Sequence, residues 1–504
     1  MLTQSCIILA IILYLCLMLY IGISFSKKNN STDDFYLGGR KLGPIVTAMS
    51  AEASDMSSWL LMGLPGVAYL SGVADAGWTA IGLAVGTYVN WLIVSRKIRL
   101  YSQELGAITI PDFFAKRYGD NKNILTAVAA IIIIIFFIPY TASGFSACGK
   151  LFMTLFGMDY MVAMIASAVI IVTYCAFGGF LAASTTDLVQ SIVMTIALFV
   201  VIIFGTIQAG GVSAVAANAQ ALPGYLSLVQ TYSNGSANSF SVLSMCSAMA
   251  WGLGYFGMPH ILLRFMAIED EKKLALSRRV ATIWVVISMA VAILIGIVGY
   301  GMSQAGTLPV LEDSETIIIE IARLLSTYGV FPALIAGVIM AGILAATMST
   351  ADSQLLTAAS GISQNIIQDF FGVKLKEKTA LIIARVTVII ISIVAIFLAR
   401  DPNSSVFQIV SFAWGGFGAT FGPVMLCALF WKRSNKNGAL AGMVAGGAMV
   451  FIWKFGIAKL GGAFAIYELL PAFIIACIVN IAVSLATAAP DKEIVDTFEK
   501  ISAK

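Results

Sequence analysis

The sequence predicts an all-α membrane protein of about thirteen transmembrane helices, two of which are interrupted near mid-membrane. Composition is the first indication, since apolar residues make up 59% of the 504 residues and charged residues only 11%. Soluble proteins are about one quarter charged. The mean hydropathy of +0.93 agrees. We therefore expect a single membrane domain, residues 1–504, with most of its surface in the lipid bilayer.

The thirteen spans follow from apolar windows of about twenty residues separated by polar breaks. The spans begin near positions 6, 43, 76, 123, 159, 188, 240, 277, 330, 379, 405, 437 and 467. The first window, residues 6–25, lacks a basic leader and a small-residue cleavage site, so it predicts a retained peripheral helix. The last two spans, residues 437–488, are also expected at the periphery.

The basic residues predict the orientation of the chain. Loops on one side, together with the C-terminal tail, hold 24 of the 30 Lys and Arg residues, against five on the other side. Because basic loops stay in the cytoplasm, we expect the N-terminus outside and the C-terminus inside.

Several classes of function are disfavoured. The net charge of +4 is small and its basic residues lie in loops, so nucleic acid is not an expected partner. No nucleophile and base are paired as in an enzyme, and neither a cofactor nor an obligatory protein partner is indicated. An ion channel, the alternative class of membrane protein, would use a repeated pore element or a ring of charges, and neither is visible.

The second span carries the first interruption, SAEASDMSSWLLMGLPG (residues 50–66). Asp55 lies about twelve residues into the span, near mid-membrane, where an unpaired carboxylate costs several kcal/mol. Gly63, Pro65 and Gly66 then weaken the helix. Irregular backbone at this depth is tolerated only beside protein or a cavity. A kinked packing helix is the alternative, and it explains the serines better than Asp55.

The seventh span carries a similar stretch, SAMAWGLGYFGMPHI (residues 247–261). Five spans separate the two interrupted helices, so the second unit is inverted relative to the first. Residues 43–208 and 240–430 would be the two repeats. Paired interruptions in inverted halves indicate the binding site of a transporter.

Oxygen-bearing side chains occur in two further apolar segments. AATMSTADSQLL carries Ser349, Thr350, Asp352 and Ser353, and GGFLAASTTDLVQ carries Asp187 at the predicted start of span six. Hydroxyl, carbonyl and carboxylate oxygens suit a hard cation. The segment ETIIIEIARLL (residues 315–325) predicts a short interfacial or gating helix that does not span.

These stretches, with FAWGGFGATFGPVMLCALFWKRSNKNGALAGM (residues 412–443), resemble the solute:sodium symporters over nearly the whole chain. The resemblance implies the LeuT-like fold, an inverted five-helix repeat with broken helices 2 and 7. It also implies sodium-coupled import of L-proline by alternating access, in a bacterial cytoplasmic membrane. The alternative substrate is pantothenate or another small organic solute carried within the same family.

The resemblance also assigns residues to roles. The implied sodium ligands are the carbonyls of Ala53, Met56 and Ala346 and the hydroxyls of Ser349 and Thr350, with Asp55 and Asp187 as supporting acids. The implied substrate site consists of Ser57, Trp59, Tyr140, Trp251, Tyr255 and Pro259. Arg40 corresponds to the family's basic residue before span two.

Three residues depart from the pattern of the proline carriers: Glu52 replaces a small residue, Met258 a polar one and Asp352 a hydroxyl. Asp187, Ser349, Asp352 and Ser353 then form a candidate site for a second cation or a proton, because two close carboxylates cannot both stay ionised alone. Alternatively, Asp352 points into a hydrated cytoplasmic vestibule.

Overall fold

The computed structural model describes residues 2–26 and 32–503. Lys27, Lys28 and Lys504, which count among the predicted cytoplasmic basic residues, lie outside that range. Ten helices of the described residues are long and apolar enough to cross a membrane. Three shorter apolar helices, Trp59–Ser71, Tyr160–Thr173 and Val242–Phe256, fall in predicted spans two, five and seven. The chain is a multi-pass all-α membrane protein, and the count of thirteen spans stays a prediction.

The described residues of the first half form ten α-helices. They are α1 (Leu2–Ser26), α2 (Thr32–Leu37), α3 (Pro44–Asp55), α4 (Leu64–Ser71), α5 (Val73–Val89), α6 (Ser95–Glu104), α7 (Ile110–Tyr118), α8 (Ile124–Phe156), α9 (Tyr160–Gln208) and α10 (Val212–Gln220). A hairpin of β1 (Gln230–Ser233) and β2 (Ser236–Ser239) follows, with antiparallel strands.

The second half also contains ten helices. They are α11 (Val242–Met249), α12 (Pro259–Ala267), α13 (Leu274–Gln304), α14 (Ile317–Ser326), α15 (Val330–Ser360), α16 (Glu377–Leu398), α17 (Val406–Phe430), α18 (Lys436–Phe455), α19 (Leu469–Ala486) and α20 (Lys492–Ser502). Short 3-10 or π-helical turns join several of them, including Asn90–Val94 and Gly361–Phe370.

The interruption of the second span is confirmed. Helix α3 ends at Asp55 because Met56 leaves the helical region, with φ −75° and ψ 63°. A π-helical turn at Trp59–Gly63 then leads into α4. Pro65 stands in the first turn of α4, where a missing backbone N–H costs little. The chain therefore crosses this region as two short helices, and between them Met56 and Ser57 lie outside any helical turn.

The interruption of the seventh span is confirmed as well. Helix α11 continues into 3-10 turns at Ala250–Phe256, and Met258 is extended before Pro259 begins α12. Gly254 lies here against the indole of Trp414, so closely that a Cβ would clash with the ring. Glycine is required at this position by packing, and the same packing brings α17 against the break.

The boundary between predicted spans five and six lies inside helix α9, earlier in the chain than the hydropathy pattern predicted. Gly179, with φ 68° and ψ 176°, divides this 49-residue helix into two parts. The sixth span thus begins right after Gly179, earlier than the predicted position 188. Asp187 consequently lies about two turns inside the helix rather than at its cytoplasmic start, and it is fully buried.

The core is built around α15, which packs against α1, α3, α8 and α9. Helices α18 and α19 pack on each other and on α17, and their peripheral position stays a prediction. The predicted short helix is α14, preceded by a 3-10 turn at Ser314–Thr316. Its residues 317–322 are buried, so it is covered by protein instead of lying on the lipid interface. The division into two repeats stays a prediction.

Three arginines counted as loop residues are in fact buried. Arg264 is 1% exposed at the end of α12. Arg99 and Arg117 donate to the carbonyls of Ile268 and Ala428, at 2.7 and 2.8 Å. They lie in helices α6, α7 and α12 and not in loops, and the side of the membrane on which they lie stays a prediction.

Candidate functional site

The broken end of α3 meets the middle of α15 through a small set of oxygen atoms. Ser349 Oγ lies 2.7 Å from the carbonyl oxygen of Ala53 and 3.2 Å from that of Ala346. Thr350 Oγ1 lies 3.1 Å from the same Ala346 oxygen. The Ala53 carbonyl is available because Ser57 N, its partner in a continuous helix, bonds to Asp55 O instead. Four of the five predicted sodium ligands are thus brought together.

Met56, the fifth predicted ligand, is the residue at which α3 ends. Its carbonyl takes no part in the Ser349 hydrogen bonds of the described residues. The four grouped oxygens are neutral and hard, which is the ligand chemistry that sodium prefers over transition metals. A cation bound there would replace these hydrogen bonds, with the two hydroxyl groups turning their protons away.

Asp55 is the meeting point of three predicted substrate residues. Tyr255 OH donates to its Oδ2 atom at 2.5 Å. Trp59 Nε1 and Tyr140 OH both lie 3.3 Å from its backbone oxygen. The break in α3 therefore orients aromatic side chains from α8 and from the break before α12 around one point.

Trp251 forms the centre of an aromatic layer beside that point. Its ring centroid lies 5.8 Å from that of Trp59 and 5.2 Å from those of Phe407 and Tyr467. Trp414 Nε1 donates to the Trp251 carbonyl at 2.7 Å. Sequence reasoning missed Phe407, Trp414 and Tyr467, and only the glycines after Trp414 signal that another helix approaches there.

Two predicted substrate residues, Ser57 and Tyr140, and one predicted sodium ligand, Thr350, line the same small cavity. Ser57, Tyr140, Thr350 and Gln354 are among the side chains that line about 10 Å³ of free volume. This volume is about that of one water-sized probe, so a solute enters only when the walls move apart. Pro259 begins α12 on the far side of the second break, where it fixes the start of that helix.

Asp187 is the acceptor of a second, separate network. Its Oδ2 atom accepts from Ser50 Oγ at 2.6 Å, from Ser54 Oγ at 3.2 Å and from Arg264 Nη2 at 3.2 Å. The same Arg264 nitrogen lies 2.5 Å from Ser353 Oγ. Arg264 thus joins α12 to α3, α9 and α15, and it is the residue of this network that sequence reasoning missed.

Asp352 belongs to the edge of the same network. Ser353 Oγ lies 3.1 Å from Asp352 Oδ1. Asp352 is only 1% exposed, so it does not point into a hydrated vestibule in this structure. Among the described residues, Asp352 Oδ2 and Asp187 Oδ1 have no hydrogen-bond partner. One arginine therefore faces two carboxylates, which leaves one negative charge without a protein partner.

The two ends of the molecule differ in how closely they cover the site. On the side of Lys150, a cavity of about 560 Å³ reaches down to Phe407, whose ring packs on Trp251. On the side of Arg40, a cavity of about 680 Å³ is lined by residues that include Gly106, Asp112 and Gln364, and about 10 Å³ is free between Tyr36, Arg264 and Ser353, next to the Asp187 network. The site is thus covered by one aromatic layer on the Lys150 side and by densely packed helices on the other.

Glu315 ties the first turn of α17 to α8. Lys150 Nζ lies 2.8 Å from Glu315 Oε2 and 2.8 Å from Asp313 Oδ2. The Glu315 carboxylate also accepts from the backbone N–H groups of Val406 and Phe407, both at 3.0 Å. A carboxylate is well placed at a helix N-terminus. Phe407, which covers Trp251, is held by this contact.

Arg40 joins three segments at the opposite side. Its guanidinium donates to the carbonyls of Met266 at 2.6 Å, Ala107 at 2.7 Å and Ser102 at 3.1 Å. This predicted basic residue thus connects the approach to α3 with the end of α12 and with the loop after α6.

Comparison with known proteins agrees with this geometry. The model of the sodium:solute symporter family matches residues 35–446. The osmoregulated proline transporter OpuE of Bacillus subtilis is 41% identical over 96% of both chains. A sodium/proline symporter of Haemophilus influenzae is 41% identical over 97% of this chain and 96% of its own. A solved Na⁺-coupled sialic acid symporter in a substrate-bound outward-open state superposes with a TM-score of 0.78, at 18% identity, over 98% of this chain and 99% of its own.

The fold is therefore that of a LeuT-like symporter with two broken helices, as the sequence predicted. The chain belongs to the sodium:solute symporter family.

Proposed function

We propose that this protein is a sodium-coupled symporter that imports L-proline by alternating access. Relatives named for proline transport match it at about 41% identity over nearly their full length. The observation that carries the proposal is the contact of Ser349 with the carbonyls of Ala53 and Ala346 at the break of α3. This contact supplies a sodium-type ligand set directly beside the cavity lined by Ser57 and Tyr140.

Proline needs donors for its carboxylate and an apolar wall for its ring. The turn that begins at Trp59 presents the positive end of a helix, which favours a carboxylate, and Trp59 N and Leu60 N bond there to Ser57. Trp59, Tyr140, Trp251 and Tyr255 supply aromatic faces for the ring and for the cationic nitrogen. Pro259 is the first residue of α12 and fixes the start of that helix behind these aromatic side chains.

Coupling between sodium and proline follows because both predicted sites use the break of α3 as a wall. Sodium at Ala53, Met56, Ala346, Ser349 and Thr350 would fix the break of α3 against α15, and Asp55 would stay oriented through Tyr255. Proline then meets a site whose walls are already ordered, so each ligand tightens the binding of the other. Asp187 supports the arrangement by holding Ser50 and Ser54 of α3.

A second ion is part of the proposal at Asp187, Ser349, Asp352 and Ser353. Arg264 balances only one of the two carboxylates. A sodium ion or a proton would balance the other.

The orientation is proposed from the distribution of charge. The N-terminus and the Lys150 side face outward, and the Arg40 side and C-terminus face the cytoplasm of a bacterium. Solute then enters past Phe407 and leaves past Tyr36 and Arg264, where about 10 Å³ is free in this structure.

Counterflow in proteoliposomes tests the substrate and the mechanism together. Vesicles loaded with unlabelled proline should transiently accumulate external radiolabelled proline, which a channel does not do. Excess external proline should compete, whereas pantothenate should not. Competition by pantothenate but not by proline would show that the substrate assignment is wrong.

A further inference from the structure

Glu52 and Asp55 are two buried carboxylates one helical turn apart, and each is only half satisfied. Trp91 Nε1 lies 2.9 Å from Glu52 Oε1, and Tyr255 OH lies 2.5 Å from Asp55 Oδ2. Both residues are 1% exposed. Their other oxygens, Glu52 Oε2 and Asp55 Oδ1, have no hydrogen-bond partner within the described part of the chain.

The network around Asp187 does not balance these charges. At about 100° per residue, the pair Ser50 and Ser54 points roughly 150° away from the pair Glu52 and Asp55 around α3. Arg264 is bound to the two serines. No ion pair involves Glu52 or Asp55 among the residues described. Two adjacent buried carboxylates cannot both stay ionised without a cation.

Asn90 completes the surroundings of the pair. It opens the π-helical turn after α5, and its Nδ2 atom donates to the Tyr255 carbonyl at 3.1 Å. The oxygen of the same amide, Asn90 Oδ1, is buried and has no hydrogen-bond partner in the described chain. Trp91, the next residue, donates to Glu52, and Tyr255 donates to Asp55, so this turn is linked to both carboxylates. Such π-helical turns are frequent at functional sites.

The three unpartnered atoms are all acceptors. A single proton would serve at most two of them, whereas a cation lying between the two carboxylates and Asn90 would serve all three. Oxygen atoms from two carboxylates and one amide form a hard, anionic ligand set. It is chemically distinct from the neutral set of Ala53, Ala346, Ser349 and Thr350.

We propose that Glu52, Asp55 and Asn90 bind a further sodium ion on the face of α3 opposite Arg264. This proposal rests on the proposed sodium-coupled function. The ion balances the carboxylates and joins α3 to the π-helical turn and, through Tyr255, to the predicted substrate site. It is therefore bound before proline.

Direct binding of ²²Na⁺ to the purified protein in detergent, without proline, tests the proposal. The number of ions bound at saturation should fall by one in Glu52→Gln, which keeps the Trp91 hydrogen bond but removes the charge. Ser349→Ala should leave the Glu52-dependent ion in place. Glu499→Gln, an exposed carboxylate paired with Lys432, is the matched control and should bind as many ions as the wild type.

A second variant keeps the test decisive if Glu52→Gln does not fold. Glu52→Asp keeps the charge at a shorter reach, so it should keep the stoichiometry with the dissociation constant raised about tenfold. An unchanged stoichiometry in folded Glu52→Gln would overturn the site. If Glu52→Gln is not folded, an unchanged sodium affinity in Glu52→Asp would overturn it too.

Two further outcomes are distinguishable. Vesicles that carry a pH dye report whether proline uptake acidifies their interior. If Glu52→Asp loses this acidification while its sodium binding is unchanged, the site binds a proton and the sodium proposal is overturned. Sodium-independent proline uptake by the wild type would instead refute the proposed function. The two failures are distinguishable because the ²²Na⁺ count is made without proline.

Discussion

Ser349 and Thr350 each add one hard oxygen beside the carbonyls that the break in α3 exposes. Replacing either with alanine removes that oxygen and leaves the aromatic side chains in place. We expect Ser349→Ala and Thr350→Ala to raise the sodium half-saturation about 5- to 30-fold, as for a loss of about 1–2 kcal/mol. Sodium titrations of proline uptake measure this.

Thr173→Ala is the control, since that exposed hydroxyl bonds only to Val169 O of its own helix. Reciprocal linkage requires the proline affinity of the two variants to fall at low sodium and to recover at high sodium. Proline binding that ignores sodium in both wild type and variants would refute the assignment.

The aromatic side chains set the affinity for proline. We expect alanine at Tyr140, Trp251 or Tyr255 to raise the proline half-saturation by about tenfold or more, because each removes a wall that desolvates the ring. Sodium dependence should remain. Uptake kinetics at saturating sodium measure this, and an unchanged proline half-saturation in all three variants would remove them from the site.

Asp352 tests the second ion at the Arg264 network. A second sodium there predicts that Asp352→Ser lowers the sodium Hill coefficient. A shared proton predicts that wild-type uptake changes with pH between about 5 and 8, and that the variant loses this change. Uptake titrations at several pH values measure both. If neither property changes, Asp352 binds no ion.

The sequence was sufficient for residues whose chemistry is conspicuous locally, such as Asp55 within an apolar run. It was insufficient for Arg264, which follows an apolar stretch and precedes the charged loop at residues 269–273. Its burial depends on Asp187 and Ser353, which lie 77 and 89 positions away. Trp414 was missed for the same reason, since its partner Trp251 is remote in the chain.

Glu315 shows how one contact positions a whole helix. It accepts the first N–H groups of α17 and is paired with the buried Lys150. We expect Glu315→Gln to lower the free energy of unfolding by about 2 kcal/mol, because the buried ion pair and the charged helix cap are both weakened. Thermal unfolding in detergent measures this.

Glu320→Gln is the matched control within α14. Its partner Arg323 is about half exposed, and such pairs contribute less than about 1 kcal/mol. Equal thermal shifts in the two variants would contradict the capping role of Glu315.

The helix breaks show where pattern reasoning works and where it fails. The breaks after α3 and before α12 were predictable because Gly, Pro and polar residues cluster there. The boundary between spans five and six was predicted too late, near position 188, since Gly178 and Gly179 stand in an apolar run without a polar interval. Gly179 has a positive φ, a backbone conformation that a hydropathy pattern does not reveal.

At the scale of the whole molecule, the proposed function requires that the sodium gradient supplies the free energy for proline accumulation. One sodium ion moving inward across about 150 mV releases roughly 3.5 kcal/mol. A tenfold sodium gradient adds about 1.4 kcal/mol. One coupled ion can thus sustain roughly three to four decades of proline accumulation, and a second ion would extend this range.

Sodium replacement is the measurement that tests this coupling most directly. Proline uptake into proteoliposomes should be measured with external sodium, and again with choline in its place, at constant pH and membrane potential. We expect accumulation above equilibrium with sodium and only background uptake with choline. Equal uptake in the two media would contradict the account.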